Sequence, residues 1–316
     1  QSIYTYLPEF DFEVIVSNNG CDLIAKERLL KKYSKLIWIE TGYNAGFARA
    51  NNIGLKSAKG EVYLLLNPDT ICLDNSIEIC YKRLMQSSYA AVGVQLLNHD
   101  HSSQISGSHF VKGGINHLLP LPYWGSFLRW IGYSLKMEPP SVEQASKEEP
   151  VDWISGAFLM VKRSITDKAG LLDEDFFLYA EEVEWCSRLR KYGSLCLYGD
   201  LHIIHLEGAS INKATQTGNS SIGYYNLYDK KGLQLMVSNH LRVRKQYGVL
   251  WFLFLLLNYT WGVFVFAIGS FLHRLFTFRN PLGSFKKVGA FAANVLRLWL
   301  LSPLIIRNKP HFYKMF

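Results

Sequence analysis

The segment Val62-Tyr63-Leu64-Leu65-Leu66-Asn67-Pro68-Asp69 decides the fold class, because an apolar strand in it stops abruptly at polar residues. Pro68 holds the preceding residue extended and cannot continue a helix. In sheets with helices on their faces, ligands bind beyond the carboxyl ends of the strands. The segment therefore predicts an α/β sheet in which Asp69 lies at a ligand-binding edge.

Short β-branched runs alternate with helical spacing on both sides of this segment. The predicted strands are 12–16, 36–39, 62–66 and 91–96, the predicted helices are 22–33 and 45–58, and later strand-like or helical stretches are 151–161, 181–192, 194–198 and 203–206. This order is typical of a parallel sheet covered by helices. Residues 98–150 are rich in His, Ser, Gly and Pro, which favours a variable loop; in an enzyme domain such a loop is commonly a lid or a specificity element.

The charge of the chain is unevenly divided. Residues 230–316 hold 13 Lys and Arg and no acidic residue, and the other 21 basic and 26 acidic residues give residues 1–229 a net charge of −5. We therefore expect a mildly acidic domain over 1–229 and a basic, apolar helical tail over 230–316. Within the tail, Val249–Leu272 has no charged residue and would extend about 36 Å as a helix.

This composition favours a membrane as the partner of the tail and argues against nucleic acid, because the basic residues flank apolar stretches. Positive residues on both sides of Val249–Leu272 give no clear orientation, and Arg297 and Pro303 interrupt the second apolar stretch, 288–306. One crossing, a shallow hairpin and a pair of interfacial helices are all compatible with the sequence. The five cysteines form no C-x-x-C pair, which predicts reduced core residues and no zinc site.

Three groups of residues carry chemistry of their own, each with a simpler interpretation beside it. Asp69 can hold a divalent cation or merely close an Asn-Pro-Asp turn. Glu181 and Glu182 can provide a general base, or an acidic helix start favoured by the helix dipole. His205, at the end of a strand, is a metal ligand or a structural histidine.

A fourth candidate is the segment around Trp153, Gly156 and Ala157. An aromatic face beside a glycine that permits close approach suits a sugar ring. Ordinary core packing explains the same residues.

In order and spacing, six stretches resemble family 2 glycosyltransferases, especially the bacterial rhamnosyltransferase-like and galactofuranosyltransferase-like branch. The resemblance covers roughly residues 1–247. The stretches are Val14–Gly20, Gly42–Gly54, Leu66–Asp69, Asp152–Phe158, Phe176–Glu184 and His205–Ser210.

The resemblance implies an A-type glycosyltransferase fold, Rossmann-like in its nucleotide-binding half, with inverting chemistry. Asp69 matches the last acidic residue of the family's D-x-D-like metal motif, in which Asn67 takes the first place, and His205 matches a histidine that completes metal coordination. Glu182 falls at the catalytic base and Glu181 at the preceding glutamate. Further matches are Asn18 and Asn52 in donor binding, and Trp153, Gly156 and Ala157 on the acceptor side.

The function implied is transfer of rhamnose, galactofuranose or an N-acetylhexosamine from a nucleotide-diphosphate sugar, with Mg²⁺ or Mn²⁺ as cofactor. The acceptor implied is a glycan or a polyprenyl-diphosphate-linked sugar in cell-surface polysaccharide synthesis. The tail would place such a hexosyltransferase at the cytoplasmic face of the bacterial inner membrane.

The sequence departs from the family in three ways. Ser17 stands where Asp is usual, Glu182 replaces the commoner Asp, and the first strand with its helix is missing, so that Gln1-Ser2-Ile3 reads as the tail of that helix in a truncated chain. An inactive, membrane-tethered nucleotide-sugar-binding module is therefore the alternative. A dehydrogenase is a distant third, since no G-x-G-x-x-G follows a strand.

Overall fold

A computed structural model describes residues 1–7, 10–20, 23–206 and 226–316. The described residues form two compact units. The first unit comprises Gln1–His109, Pro140–Phe177 and 181–206. The second comprises Phe110–Pro139, Leu178–Ala180 and 226–316, so it takes a segment from the middle of the chain as well as the end.

The first unit is a mixed α/β assembly, as the sequence predicts. Its helices are α1 (Ser2–Tyr6), α2 (Leu23–Lys32), α3 (Gly46–Ser57), α4 (Ser76–Gln86), α6 (Arg163–Ala169) and α7 (Glu181–Leu189). Its strands are β1 (Ile15–Asn18), β2 (Ile37–Glu40), β3 (Val62–Leu66), β4 (Thr70–Cys72), β5 (Ala91–Leu97), β6 (Gly107–Ser108), β7 (Ser141–Val142), β8 (Glu148–Val151), β9 (Trp153–Ile154), β10 (Phe158–Lys162) and β11 (Leu195–His205). The predicted strand 62–66 has the observed bounds.

The main sheet is mixed, which corrects the expectation of a parallel one. Its strand order is β3-β10-β5-β11-β4, with β8 also paired to β11. Strand β10 lies antiparallel between β3 and β5, whereas β5 and β11 are parallel. The alternating pattern identifies strands but not their direction, and the long excursion through residues 98–157 brings β10 into the sheet reversed.

Two apolar clusters hold the sheet between helices. One contains Leu65, Leu159 and Leu197 with Trp185 of α7. The other contains Val94, Met160 and Tyr198 with Leu84 of α4. Side chains of a strand alternate between faces, so neighbouring residues such as Leu197 and Tyr198 supply opposite clusters. This layering places the carboxyl end of β3 at an open edge.

Strand β11 is continuous over eleven residues, although the sequence suggests two separate strands. Its pairing with β5 shifts register between Tyr198 and His202. A bulge of this kind redirects the side chains that follow it. The far end of β11 then pairs antiparallel with β4, which brings His205 opposite Thr70.

The cysteines in the described part of the chain are reduced and buried, as the sequence predicts. Cys72, Cys80, Cys186 and Cys196 are free thiols in the core. Burial raises the pKa of the Cys186 thiol to about 12, so it stays protonated and unreactive. Cys21 lies outside the described residues.

The second unit is helical. It contains a 3₁₀ turn (Lys112–Leu118), α5 (Trp124–Ser134), α8 (Lys230–Tyr247), α9 (Val249–Phe276), a second 3₁₀ turn (Pro281–Ser284) and α10 (Phe285–Arg307). By length and composition alone, Val249–Phe276 and Pro281–Arg307 are apolar enough to cross a membrane. Residues 110–139, predicted to belong to an acceptor-side loop, therefore pack with the tail.

Candidate active site

Asp69 and His205 lie side by side at the edge of the main sheet. Oδ1 of Asp69 is 3.5 Å from Nε2 of His205, and the two side chains are only 8% and 12% exposed. Backbone pairing fixes this neighbourhood, because the Leu206 amide donates to the Asp69 carbonyl at 2.9 Å. Two residues distant in sequence are thus joined by the antiparallel β4–β11 pair.

Gln104, which the sequence reasoning missed, orients the His205 ring. Its Oε1 accepts from Nδ1 of His205 at 3.0 Å, while its Nε2 donates to the His205 carbonyl and to Asn98 Oδ1, both at 2.7 Å. These contacts define the amide orientation, so Nδ1 carries the proton and Nε2 keeps its lone pair. Metal-binding histidines are held in the same way by a second hydrogen bond.

Asn67 completes the cluster. Its Nδ2 is 3.4 Å from Nε2 of His205. Its backbone amide donates to the Ala157 carbonyl at 3.1 Å, and its carbonyl accepts from the Thr70 hydroxyl at 2.7 Å. The predicted Asn-Pro-Asp turn is therefore present, and it places Asp69 next to His205.

The donor set suits a hard divalent cation. A carboxylate oxygen and an imidazole nitrogen are ligands that Mg²⁺ and Mn²⁺ accept. Adjacent ligands of one such ion lie about 3 Å apart, near the observed Asp69–His205 separation. Among the residues the structure describes, no group of three or more His, Cys, Asp or Glu side chains gathers around one point. A cation bound by Asp69 and His205 would therefore need further ligands, such as the phosphates of a substrate.

Helix α7 begins with three carboxylates in different surroundings. Glu184 forms an ion pair with Arg188, in which Nη2 of Arg188 lies 2.8 Å from Oε2 of Glu184. We interpret this pair as structural. Glu181 is buried, and its Oε2 has no hydrogen-bond partner in the described part of the chain. Burial, followed by the charge of Glu182, raises the pKa of Glu181 well above its ordinary value. Glu182 is only partly buried.

Gly156 lies directly against the start of α7. A methyl group built on Gly156 would come 3.6 Å from Cβ of Glu182 and 3.1 Å from the Phe47 ring. Glycine thus keeps the space beside Glu182 open. Ala157 follows in the same loop and is linked to Asn67, which joins the glutamates and the Asp69–His205 pair through one short segment.

Trp153 is half-buried in β9, which pairs antiparallel with β6. The neighbouring Asp152 forms a 2.6 Å ion pair with Arg190, at the end of α7. These contacts position the strand that leads to Gly156.

Asn18 ends β1 beside a carboxylate that the sequence reasoning also missed. Its Nδ2 donates to Glu40 Oε2 at 2.8 Å. Hydrogen bonds from Trp38 and Asn18 hold the pKa of Glu40 below its ordinary value. Glu40 directly follows the apolar run 36–39, so the strand-end rule that identified Asp69 also applies to it.

Asn52, which the sequence predicts to contact the nucleotide-sugar donor, is buried inside the protein. Its Nδ2 donates to the Leu172 carbonyl at 2.9 Å and to Glu174 Oε1 at 3.0 Å, and its Oδ1 accepts from the Leu172 amide. Its polar atoms thus tie α3 to the segment that leads to α7. We assign it a supporting role.

A cleft of about 510 Å³ opens beside His205, lined by Asn98, His99, Asp100, His205 and Leu206. The remaining residues of the last predicted motif, 207–210, lie outside the described residues.

Comparison with known proteins agrees with the fold. The profile of glycosyl transferase family 2 matches residues 2–133. A low-salt glycan biosynthesis hexosyltransferase of Haloferax volcanii is 28% identical over 185 residues, 57% of this chain and 53% of that protein. The chain thus spans about half the length of that relative. An N-acetylglucosaminyl-diphospho-decaprenol L-rhamnosyltransferase of Mycobacterium tuberculosis is 26% identical over 243 residues, 72% of this chain and 75% of the relative.

A third relative, the rhamnosyltransferase WbbL of Escherichia coli, is 24% identical over 204 residues, 61% of this chain and 72% of the relative. Among solved structures, GalNAc-T7 with UDP, GalNAc and Mn²⁺ aligns at a TM-score of 0.49 with 12% identity, covering 78% of this chain and 47% of that one. At that score no residue or ligand is carried over.

The mixed α/β fold is the one expected of an A-type glycosyltransferase. Residues 2–133 thus match glycosyl transferase family 2, and the chain is similar in sequence to rhamnosyltransferases.

Proposed function

We propose that this protein is an inverting rhamnosyl- or hexosyltransferase that moves a sugar from a nucleotide-diphosphate donor to a lipid-linked or glycan acceptor. The observation that carries the proposal is the joining of Asp69–His205 to Glu182 through the Asn67–Ala157 link. A metal-binding pair and a carboxylate on opposite sides of one short loop suit a reaction in which a diphosphate leaves while a hydroxyl attacks.

Asp69 and His205 would hold a divalent metal, with Asn67 next to them. When bound, the metal neutralises the charge that grows on the departing diphosphate. Gln104 keeps the lone pair of His205 Nε2 directed at the site. Asn18 and Glu40, at the end of β1 and β2, are proposed to contact the nucleotide part of the donor.

Glu182 is the proposed general base. It accepts the proton of the acceptor hydroxyl as that oxygen attacks the anomeric carbon, and the bond to the diphosphate breaks on the opposite face. No covalent enzyme intermediate is needed. Burial and the charge of Glu182 raise the pKa of Glu181, so the two glutamates resist being charged together.

Trp153, Gly156 and Ala157 are proposed to line the acceptor side, since Gly156 leaves room beside Glu182. The mycobacterial relative is named for an acceptor joined to decaprenol through a diphosphate. A similar lipid-linked acceptor fits the basic, apolar second unit, which we propose to contact the cytoplasmic face of a bacterial membrane.

The decisive experiment compares dTDP-rhamnose, UDP-galactofuranose and UDP-N-acetylhexosamines as donors, with a polyprenyl-diphosphate-linked N-acetylglucosamine as acceptor and Mg²⁺ or Mn²⁺ present. Transfer from one donor that is lost in Glu182→Gln supports the proposal. Metal-dependent nucleotide-sugar binding without transfer to any acceptor would favour the alternative, an inactive membrane-tethered binding module.

A further inference from the structure

Helix α9 exposes an apolar stripe along its whole length. Its exposed members recur every three or four residues and include Leu250, Phe254, Leu257, Trp261, Phe264 and Ile268. Such spacing places them on one face of the helix. The other face, with Phe252, Tyr259 and Phe266, is buried inside the second unit.

An irregular segment, 110–123, covers the buried face of α9. Gly113 packs against the Trp251 ring, the Tyr259 hydroxyl donates to the His117 carbonyl at 3.0 Å, and a methyl group on Gly269 would lie 2.9 Å from the Tyr123 ring. The contacts run from Trp251 to Gly269, a length of about 27 Å on a helix. That length nearly equals the roughly 30 Å thickness of a bilayer's hydrocarbon layer.

The covering segment is unsuited to the interior of a bilayer. Gly113 and Gly114 adopt left-handed backbone angles (φ 68° and 70°) and are buried, whereas Lys112 and Ile115 on either side of them are exposed. Irregular backbone that faces lipid does not occur within the hydrocarbon layer, because its polar groups lack partners there. If α9 crossed the membrane, this segment would cross beside it.

Charged groups also lie at the level of the middle of α9. The buried Arg242 donates to Nε2 of His117 at 2.7 Å, next to the Tyr259–His117 contact. A guanidinium near the centre of a bilayer is costly. With the unit at the membrane surface, the same buried group stays inside the protein and outside the centre of the hydrocarbon layer.

Helix α5 adds a second apolar face to the same unit. Phe127, Trp130 and Tyr133 recur every three residues, are 46%, 64% and 72% exposed, and the first two rings stack at 6.0 Å. The Trp124 indole, one turn earlier, donates to Asn258 of α9 at 3.3 Å. Aromatic side chains of this kind prefer the headgroup region of a bilayer.

The charge of the unit fits an anionic lipid surface. Residues 110–139, 178–180 and 226–316 contain 16 Lys and Arg and two acidic residues, Glu138 and Asp229. Asp229 is occupied in capping α8, where it accepts from the Gly232 amide at 2.8 Å. Basic groups that flank exposed apolar side chains bind membranes containing anionic lipids.

From these observations we infer that the second unit is monotopic: α9 lies in the plane of one leaflet with its stripe in lipid, and the aromatic face of α5 inserts beside it. The inference depends on the membrane contact in the proposed function, but not on the sugar-transfer chemistry. It assigns a lipid-binding surface to residues 124–137, in the middle of the chain.

Labelling tests the topology. Arg279→Cys, between α9 and α10, and Lys191→Cys, in the first unit, are exposed positions for a membrane-impermeant maleimide. In sealed vesicles with the cytoplasmic face outward, we expect equal labelling of both sites before and after detergent, with the parent protein as the blank. Labelling of the Arg279→Cys site only after detergent would show that α9 crosses, and would overturn the inference.

Vesicle flotation tests the surface. Trp130→Glu should weaken binding to phosphatidylcholine–phosphatidylglycerol vesicles at least about fivefold, whereas Met85→Glu, an exposed apolar position on α4 of the first unit, should not. Unchanged binding in Trp130→Glu would remove α5 from the surface.

Another copy of the chain is the alternative partner for the exposed stripe of α9. Phe264→Glu distinguishes the two occupants. Weaker vesicle binding supports the lipid surface, while loss of a dimer in sedimentation with unchanged vesicle binding would overturn it. Mn²⁺-dependent nucleotide binding, measured in each variant, shows separately whether the donor site has failed.

Discussion

The imidazole of His205 and the carboxylate of Asp69 face each other at 3.5 Å because Thr70 and His205 are partners in an antiparallel strand pair. The backbone, and not the side chains, sets this separation. A pair preformed in this way needs little rearrangement to take up a cation.

Asp69→Asn should weaken nucleoside-diphosphate binding in Mn²⁺ at least about tenfold, because it removes the anionic ligand while keeping the side chain's shape. Binding without metal should change little. Calorimetric titration with and without Mn²⁺ measures both affinities. Asp167→Asn, at an exposed carboxylate of α6, is the matched control. Equal Mn²⁺-dependent affinity in Asp69→Asn and the control would remove Asp69 from the metal site.

Gln104→Leu should lower Mn²⁺ affinity by roughly tenfold, since His205 loses the hydrogen bond that orients its ring. Gln104→Glu keeps an acceptor for Nδ1 and should restore most of that affinity. Electron paramagnetic resonance of free Mn²⁺ gives the affinities. The same loss in both variants would indicate general disruption of the loop, and melting temperatures would reveal it.

Glu182→Gln should reduce the transfer rate by roughly 10²–10⁴-fold with donor affinity unchanged, because a neutral amide cannot accept the hydroxyl proton. Glu182→Asp, one methylene shorter, should retain measurable activity. Initial rates and nucleotide titrations separate the two effects. Full activity in Glu182→Gln would refute its assignment as base.

Glu181 should make the folded protein less stable as pH rises. Its folded-state pKa is raised by burial and by Glu182, so above the ordinary glutamate value the unfolded chain releases a proton that the folded chain keeps. The free energy of unfolding then falls by about 1.4 kcal/mol per pH unit until the folded pKa is reached. Glu181→Gln should remove this slope in denaturant titrations, whereas Glu143→Gln should preserve it. An unchanged slope in Glu181→Gln would assign the pH dependence elsewhere.

Gly46→Ala should destabilise the first unit by about 2–4 kcal/mol. Gly46 has φ 71°, and a methyl group there would overlap the Phe177 carbonyl, the acceptor of the Phe47 amide. Gly60→Ala, where the nearest atom is at 3.4 Å, should cost far less. Chemical denaturation compares the two. Similar losses in both would show that the Gly46–Phe177 approach is not a tight constraint.

The sequence was informative wherever a local rule applied. A run of apolar residues ending at Asn67-Pro68 gave β3 its bounds, and glutamates after an aromatic run gave the start of α7. Strand direction was not accessible in this way, because β10 is placed by pairing with β3 and β5 and not by its own residues.

The missed site residues have a common physical reason. Gln104 lies in a polar stretch without periodicity, and its function depends on β11 passing nearby, a long-range contact that no local pattern encodes. Asn52 differs from Gln104, and its role in donor binding stays a prediction. It stands in a matching motif, yet burial commits its amide to Leu172 and Glu174.

The assembly of the second unit from three separated pieces of chain limits how this protein can be shortened. Leu118 and Leu121 are buried within a unit that is completed only by the last three helices. A polypeptide that stops at residue 229 would leave them, and the glycine-rich turn beside Trp251, without their covering. We expect such a fragment to aggregate. During synthesis, residues 110–139 likewise stay uncovered until residues 226–316 have left the ribosome.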